Sequence, residues 1–421
     1  MKKESKTKII VGGMAITLVI VILSIALVRN LKSSKDVTSG DFLSTMANSD
    51  SKLIASFIKE GITIGGVTGT LKVTNTEDAN AKSEDIDYGV TAYINGEKVE
   101  GRKLSLNAIG IVFEKDIVLY DIYKNQFVVP AGFKIISDPS ITTKDGIIIE
   151  DANENQFVWV RVDDPESLFG EDANGINLNG ISVTTNIYSK LTPRSAEAST
   201  KVVLPGDTTG IREPDITNDS YYNFDTNEAY YNGILEFSSY EEMAQSFVDE
   251  YKAMSDSIKK YDGFYIGRYE LTGSVSEPTE KSGKALVNNW YYMYKACKNL
   301  IKNNETVKST MIYGIQWDAT CTFLKASGYD TDTYSTLWGN CGSDSEINTG
   351  SDSRFEANGI FDFAGNNYEW TQEISGKNAR VMRGGCCRVN GAVEPAATRK
   401  NSEPQSFTRA YGGSRVVLYI K

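Results

Sequence analysis

Residues 9–28, IIVGGMAITLVIVILSIALV, run for twenty positions without a charge. A helix of that length spans the hydrocarbon core of a bilayer. Lys2, Lys3, Lys6 and Lys8 precede it. The positive-inside bias then keeps the N-terminus in the cytoplasm and carries everything after Arg29 outside. The expected protein is therefore a single-pass membrane protein, with residues 1–35 as stub and anchor and its bulk extracytoplasmic. A cleaved signal peptide is the alternative. The run exceeds the usual signal-peptide core, and no A-x-A cleavage site follows it.

The remaining length, out of 421 residues, exceeds what one core holds and predicts two or three folded units. The net charge of −11 disfavours binding to a nucleic-acid backbone, which needs clustered Lys and Arg. The chain contains no histidine. That removes the commonest general base and the usual ligands of non-haem iron. The five cysteines are Cys297, Cys321, Cys341, Cys386 and Cys387. Their odd number and spacing give neither a complete disulfide framework nor a zinc site. One bridge among Cys297, Cys321 and Cys341 stays open, beside the reading of all as small buried thiols.

Residues 29–50 are polar and read as a tether. Two related pieces follow, KEGITIGGVTGTL at 59–71 and DYGVTAYINGEKVEGRK at 87–103. Each alternates β formers around a glycine-bearing turn and ends on a glycine, the pattern of a hairpin. They resemble the short hairpin repeats of phage tail-fibre and surface-adhesin proteins, which implies that they act as spacers. The tether and hairpins are expected to occupy 36–103. Beyond them the texture is α+β. Strands are predicted within 125–135, 145–163 and 262–271. Residues 165–235 read as long loops with short strands. Helices are predicted from Ser238, capped with Glu241 as a capping box, at 287–300 and at 313–324.

Four segments carry a resemblance in their order: GFYIGRYE (263–270), MIYGIQWDATCTFL (311–324), NGIFDFAGNNYEWTQE (358–373), and RVMRGG (380–385) followed by GGSRVVLYI (412–420). Together they resemble the formylglycine-generating-enzyme superfamily. That implies one loop-rich, C-type-lectin-like domain over 104–421. The third segment reads as a turn of oxygen-bearing Asp362, Asn366 and Glu369 around Gly365, closed by an apolar Trp370. Arg383, Gly384, Gly385 and Arg415 join these as expected structural residues, Arg383 needing buried partners. A structural Ca2+ ion on Asn366, Asn367 and Glu369 stays open beside plain turn hydrogen bonding. No other cofactor is expected.

The superfamily's oxidases hold copper with two cysteines spaced a few residues apart. Here Cys386 and Cys387 are adjacent, and successive side chains in extended backbone diverge. The chain is closer to the superfamily's ligand-binding branch, variable proteins diversified by retroelements, which implies a variable region at about 383–415. In that branch, mutagenesis at the adenines of AAC codons yields many residues but never Glu, Lys or Gln. Cys386, Cys387, Arg388, Val389, Asn390, Ala392, Val393, Thr398, Ser406, Phe407, Thr408, Arg409, Ala410 and Tyr411 are all reachable. With Lys400, Asn401 and Ser402 they are the expected binding surface, solvent-facing between two core strands. Glu394 and Lys400 fall outside the AAC pattern and need another origin. The expected function is a surface-displayed, non-catalytic binder of a protein or surface ligand. A copper-dependent oxidase and a non-catalytic structural surface component are the alternatives.

Overall fold

The computed structural model describes residues 54–72, 78–169, 211–212, 228–375, 380–402, 408 and 410–421. The apolar run at 9–28 and the tether after it lie outside them. Among the described residues no helix is long and apolar enough to cross a membrane. The chain divides into two compact units, Met1–Ala79 and Asn80–Lys421.

In the first unit a 3-10 turn, Ala55–Phe57, leads to a hairpin of Thr63–Ile64 on Val67–Thr68. Leu71 N–H donates to Ile58 O at 3.0 Å and Glu60 N–H to Leu71 O at 2.9 Å, closing the piece on itself. The closing glycine is obligatory. A Cβ on Gly69 would stand 2.2 Å from Ile58 O.

The second unit opens on the same plan. Ser83–Asp85 leads to Thr91–Ile94 paired with Glu97–Glu100. Asn95 and Gly96 both take positive φ, 52° and 83°, as a two-residue hairpin turn requires. Lys103 N–H closes onto Ile86 O at 2.9 Å. Although its sequence groups it with the first hairpin in 36–103, this piece belongs to the C-terminal unit. Leu104 N–H bonds Tyr120 O at 2.7 Å, and the Tyr88 ring meets Phe113 edge-on at 5.6 Å. A third, longer version follows. Leu106–Ala108 leads to Ile117–Tyr120 on Gln126–Val129, and Ile109 bridges Ile135 in parallel, as Lys59 does Leu71 and Asp87 does Lys103. Burial of Leu119, Phe127 and Val129 gives this copy an apolar content that hides its kinship with the other two.

The rest is mixed α+β. In chain order the strands of its two larger sheets are β1 Lys134–Ile135, β2 Ile148–Glu150, β3 Gln156–Arg161, β4 Ile211–Arg212, β5 Gly263–Gly267, β6 Val307–Met311, β7 Tyr368–Ser375, β8 Arg380–Arg383, β9 Lys400–Ser402, β10 Gly412–Ser414 and β11 Val416–Ile420. Its main helices are α1 Tyr240–Tyr261, α2 Trp290–Asn299 and α3 Gly314–Ala326. Among the described residues, six strands form an antiparallel sheet in the order β6-β11-β5-β3-β2-β1. A second sheet runs β4-β7-β8-β9, with β10 parallel to β7.

Period-2 alternation explains why the larger sheet is so apolar. Phe157, Trp159, Tyr265, Val416 and Leu418 enter one core cluster. Their neighbours Val158, Val160, Phe264, Ile266, Val417 and Tyr419 enter the other. Both faces are buried, α2 contributing to the first cluster, α3 to the second and α1 to both.

The α1 cap sits one residue later than the sequence suggests. Ser239 Oγ accepts from Glu242 N–H at 3.1 Å, and the Glu242 carboxylate accepts from Ser238 N–H at 2.8 Å. With serine at both 238 and 239, local pattern alone does not choose between them. All five cysteines are free thiols. Cys297 and Cys321 lie in different core clusters, which separates them by the sheet.

Candidate binding surface

The turn after α3 and the loop after β8 are organised around buried charge. Asp362, at φ 54°, accepts from Thr349 Oγ1 at 2.9 Å and Gly350 N–H at 3.1 Å. Gly365, at φ 74°, is required there, since a Cβ would stand 2.3 Å from Asn340 O. Asn366 Oδ1 accepts from Asn340 Nδ2 and Ile347 N–H, while its Nδ2 donates to Glu270 at 2.5 Å. Asn367 N–H adds a bond to Glu270 at 2.9 Å. Glu369 is held by Arg415, 2.7 Å from Nη2 and about 3 Å from Nε. Trp370 is fully buried, and its Nε1–H donates to Asn288 O at 3.0 Å.

Of the three residues expected as Ca2+ ligands, Asn366 and Glu369 have their side-chain oxygens engaged, while Asn367 Oδ1 is buried and accepts no hydrogen bond. Glu369 is committed to Arg415, and the two amides present N–H groups to Glu270, whereas Ca2+ takes six to eight oxygens. Among the described residues no cluster of three or more His, Cys, Asp or Glu is placed to hold a metal.

Four carboxylates, Glu270, Glu280, Asp362 and Glu369, are buried in this region, with Arg415 acting on each of them. Burial, reinforced by Asp362 and Glu369, pushes Glu270 well above the usual carboxylate range. Burial does the same to Glu280. The folded chain thus keeps protons that the unfolded chain releases above its ordinary value of 4.5. Stability is fullest below that value and declines as pH rises toward the folded value, by about 1.4 kcal/mol per pH unit for each such group. Asp121 acts oppositely: bonds from Thr143 and Asn125 outweigh burial and hold it low, so it destabilises in stronger acid. The expected thermal midpoint is higher at pH 5.5 than at pH 8, and Glu280→Gln flattens the slope. Equal midpoints in both buffers would refute the assignment.

Beyond β8 the chain turns through Gly384 and Gly385, at φ 86° and 72°. Arg383 is fully buried and paired. Its Nη2 lies 2.6 Å from Asp318 and its Nη1 3.0 Å from Glu373. Arg399 completes the ring, with Nε 3.0 Å from Glu373 and Nη2 on the other Asp318 oxygen. All four side chains are 0% exposed. Burial wins at Asp318, raising it, while the two guanidinium groups outweigh burial at Glu373 and hold it low. Trp317 Nε1–H donates to Ala396 O at 2.9 Å, and Ala397 N–H to Thr331 O at 2.9 Å. Glu394 accepts from Tyr368 OH at 2.5 Å and from Lys400 Nζ at 3.3 Å.

The stretch between β8 and β10 is therefore not one outward loop. Its middle, residues 394–399, is buried, drawn in by Arg399 and Glu394. Thr398, expected on the surface, is buried with it. Cys386 and Cys387 are also buried, because Cys387 N–H bonds Asn366 O at 2.9 Å and its carbonyl accepts from Ser343 N–H at 2.8 Å. Burial and Cys386 push the Cys387 thiol up to about 11. Arg388, Asn390, Ala392, Val393, Thr408 and Ala410 are exposed, and Val389, Lys400 and Tyr411 are half-buried. Asn401 and Ser402 lie in β9, paired with Val381 and Arg380. Ser406, Phe407 and Arg409 lie outside the described residues.

The exposed Arg388, Asn390, Ala392 and Val393 lie on one side, and Thr408 and Ala410 beside the half-buried Tyr411 on the other; the two are brought together where the Arg388 guanidinium lies 4.9 Å over the Tyr411 ring. A cavity of about 480 Å3 adjoins them, lined by Lys284, Leu286, Glu346, Ala410 and Tyr411 among others. Sequence reasoning missed Glu270, Asp318, Glu373 and Arg399. For Asp318 and Glu373 the available signal was a charge set within an otherwise buried helix or strand.

No protein-family model matches this chain, and no curated protein matches it. No match confirms the formylglycine-generating-enzyme superfamily. Solved structures with partial similarity include PvdO from Pseudomonas aeruginosa, at 14% identity over 38% of this chain and 81% of that one, TM-score 0.30. Treponema denticola variable protein 1 is 14% identical over 72% of this chain and 98% of that one, TM-score 0.23. The Major Tropism Determinant U1 variant is 11% identical over 80% and 81%, TM-score 0.30. At such scores none of them decides fold or function.

Proposed function

We propose that this chain is a surface-displayed ligand-binding protein. Its lectin-like C-terminal domain meets a protein or surface ligand through residues 388–393 and 408–411. One observation carries the reading. The loop is pinned at its centre by the Arg383–Asp318–Arg399–Glu373 ring, while Arg388, Asn390, Ala392 and Val393 before it and Thr408 and Ala410 after it are exposed. Exposed side chains held on a fixed frame can vary at little cost to stability. An Arg and a Tyr among small polar residues suit a contact surface. In this reading residues 9–28 anchor the chain, the hairpin pieces lift the surface from the membrane, and the domain binds without catalysing.

Diversification by a retroelement belongs to the proposal and is read at the locus. A neighbouring reverse-transcriptase gene is expected, with a near-copy of this gene's 3′ end. Differences between the copies should fall on codons 388–393 and 408–411 and spare 394–399. A locus without either element would refute diversification. The surface itself is tested by a triple variant, Arg388→Ala, Asn390→Ala and Val393→Ala, at exposed positions. Its stability should change by no more than about 0.5 kcal/mol per position. Unfolding of the variant would show these residues to be framework.

A further inference from the structure

A second cavity, of about 320 Å3, opens beside the C-terminal half of α3 and is lined by none of the residues of the proposed binding surface. Val162, Leu168, Phe323 and Ala326 give it mostly apolar walls, and its charged lining is Lys144 and Arg161 with Asp163 and Asp164. Its size lies within the range of small-molecule sites. Arg161 ends β3, where the strand's alternation would place a polar residue toward solvent. Instead its side chain is only 22% exposed. Its Nε pairs with Asp163 at 2.8 Å. Its Nη1 is buried and has no hydrogen-bond partner. A buried guanidinium N–H left unpaired bears its full desolvation cost, and an anionic oxygen in the cavity would relieve it.

We propose that this cavity binds a single-chain fatty carboxylate, the head group on Arg161 and the chain along Leu168 and Phe323. The wall chemistry selects the chain and the unsatisfied guanidinium N–H selects the head. Asp163 does not oppose this, since it is paired with Nε and its side chain is 74% exposed, and Asp164 is exposed as well, so that water and salt screen both. Lys144, also exposed, adds to the attraction at the mouth. Each further buried CH2 should tighten binding about fourfold until the cavity is filled.

The test is photocrosslinking of the full chain in lipid nanodiscs with a ten-carbon diazirine carboxylate, mapped by mass spectrometry. Label is expected on residues 162–168 and 319–326. Decanoate should compete for it, and decanol or decyltrimethylammonium should not. Arg161→Gln should reduce labelling about tenfold. Ala326→Trp, a change at an exposed helix end that fills the mouth, should abolish it with the circular-dichroism spectrum unchanged. Label confined to residues 9–28, or equal competition by decanol, would overturn the proposal. Unchanged labelling of both variants would do the same.

Discussion

Arg399→Ala is expected to lower the unfolding free energy by about 3–5 kcal/mol, the usual consequence of removing one partner from a buried ion pair. The variant leaves Asp318 and Glu373 facing Arg383 alone, two carboxylates against one guanidinium with no solvent access. Arg399→Lys should recover little. An ammonium cannot reproduce the planar fork by which Nε reaches Glu373 while Nη2 reaches Asp318. Replacing all four residues with apolar side chains of similar volume should cost far less than the single change, because no stranded charge remains. Urea unfolding of the three variants gives the comparison. A loss below about 1 kcal/mol for Arg399→Ala would mean that the ring does not hold the loop, and the frame on which the binding surface is proposed to rest would go with it.

What was legible beforehand follows from period and from side-chain cost. The strands β3, β5 and β11 are readable because both their faces are buried, so their β-branched and aromatic residues run without a polar break. Helix α1 is readable from Met243, Phe247, Tyr251 and Met254, all buried as their spacing requires. Arg383 was expected to need partners and has them. The inward course of residues 394–399 was not legible. A sequence shows that Arg399 and Glu394 are charged, but not that Asp318, on a helix some eighty residues earlier, waits to pair with one of them. Codon reasoning came nearer than periodicity. Glu394, which no AAC codon reaches, is fully buried beside Tyr368 and Lys400. Thr398, which such a codon does reach, is buried as well, so reachability marks what can vary and not what faces solvent. The third hairpin escaped notice for the reverse reason: its apolar residues joined the main core and erased the polar alternation of the other two.

Trp370→Ala should cost about 3–5 kcal/mol, the range for truncating a large buried aromatic. Trp370 lies in β7 between Met382 of β8 and Ser414 of β10. Its ring is part of the core cluster that α2 and the larger sheet share. Truncation opens a cavity that neighbours in three strands cannot all close. It also leaves Asn288 O without the indole donor that now reaches it. Asn289, the next residue, caps α2 by accepting from Tyr292 N–H at 3.1 Å, so the defect lies one residue from a helix start. Trp370→Phe separates the two effects. It keeps most of the ring volume, loses the hydrogen bond, and should cost clearly less than alanine. The same residue governs the proposed surface at one remove, because β10 pairs with β7 through Trp370 and Ser414 and delivers Tyr411. Trp370→Ala should therefore weaken ligand capture along with stability, whereas the triple variant at 388, 390 and 393 should remove capture alone. An unchanged melting temperature for Trp370→Ala would place the core of this domain somewhere else.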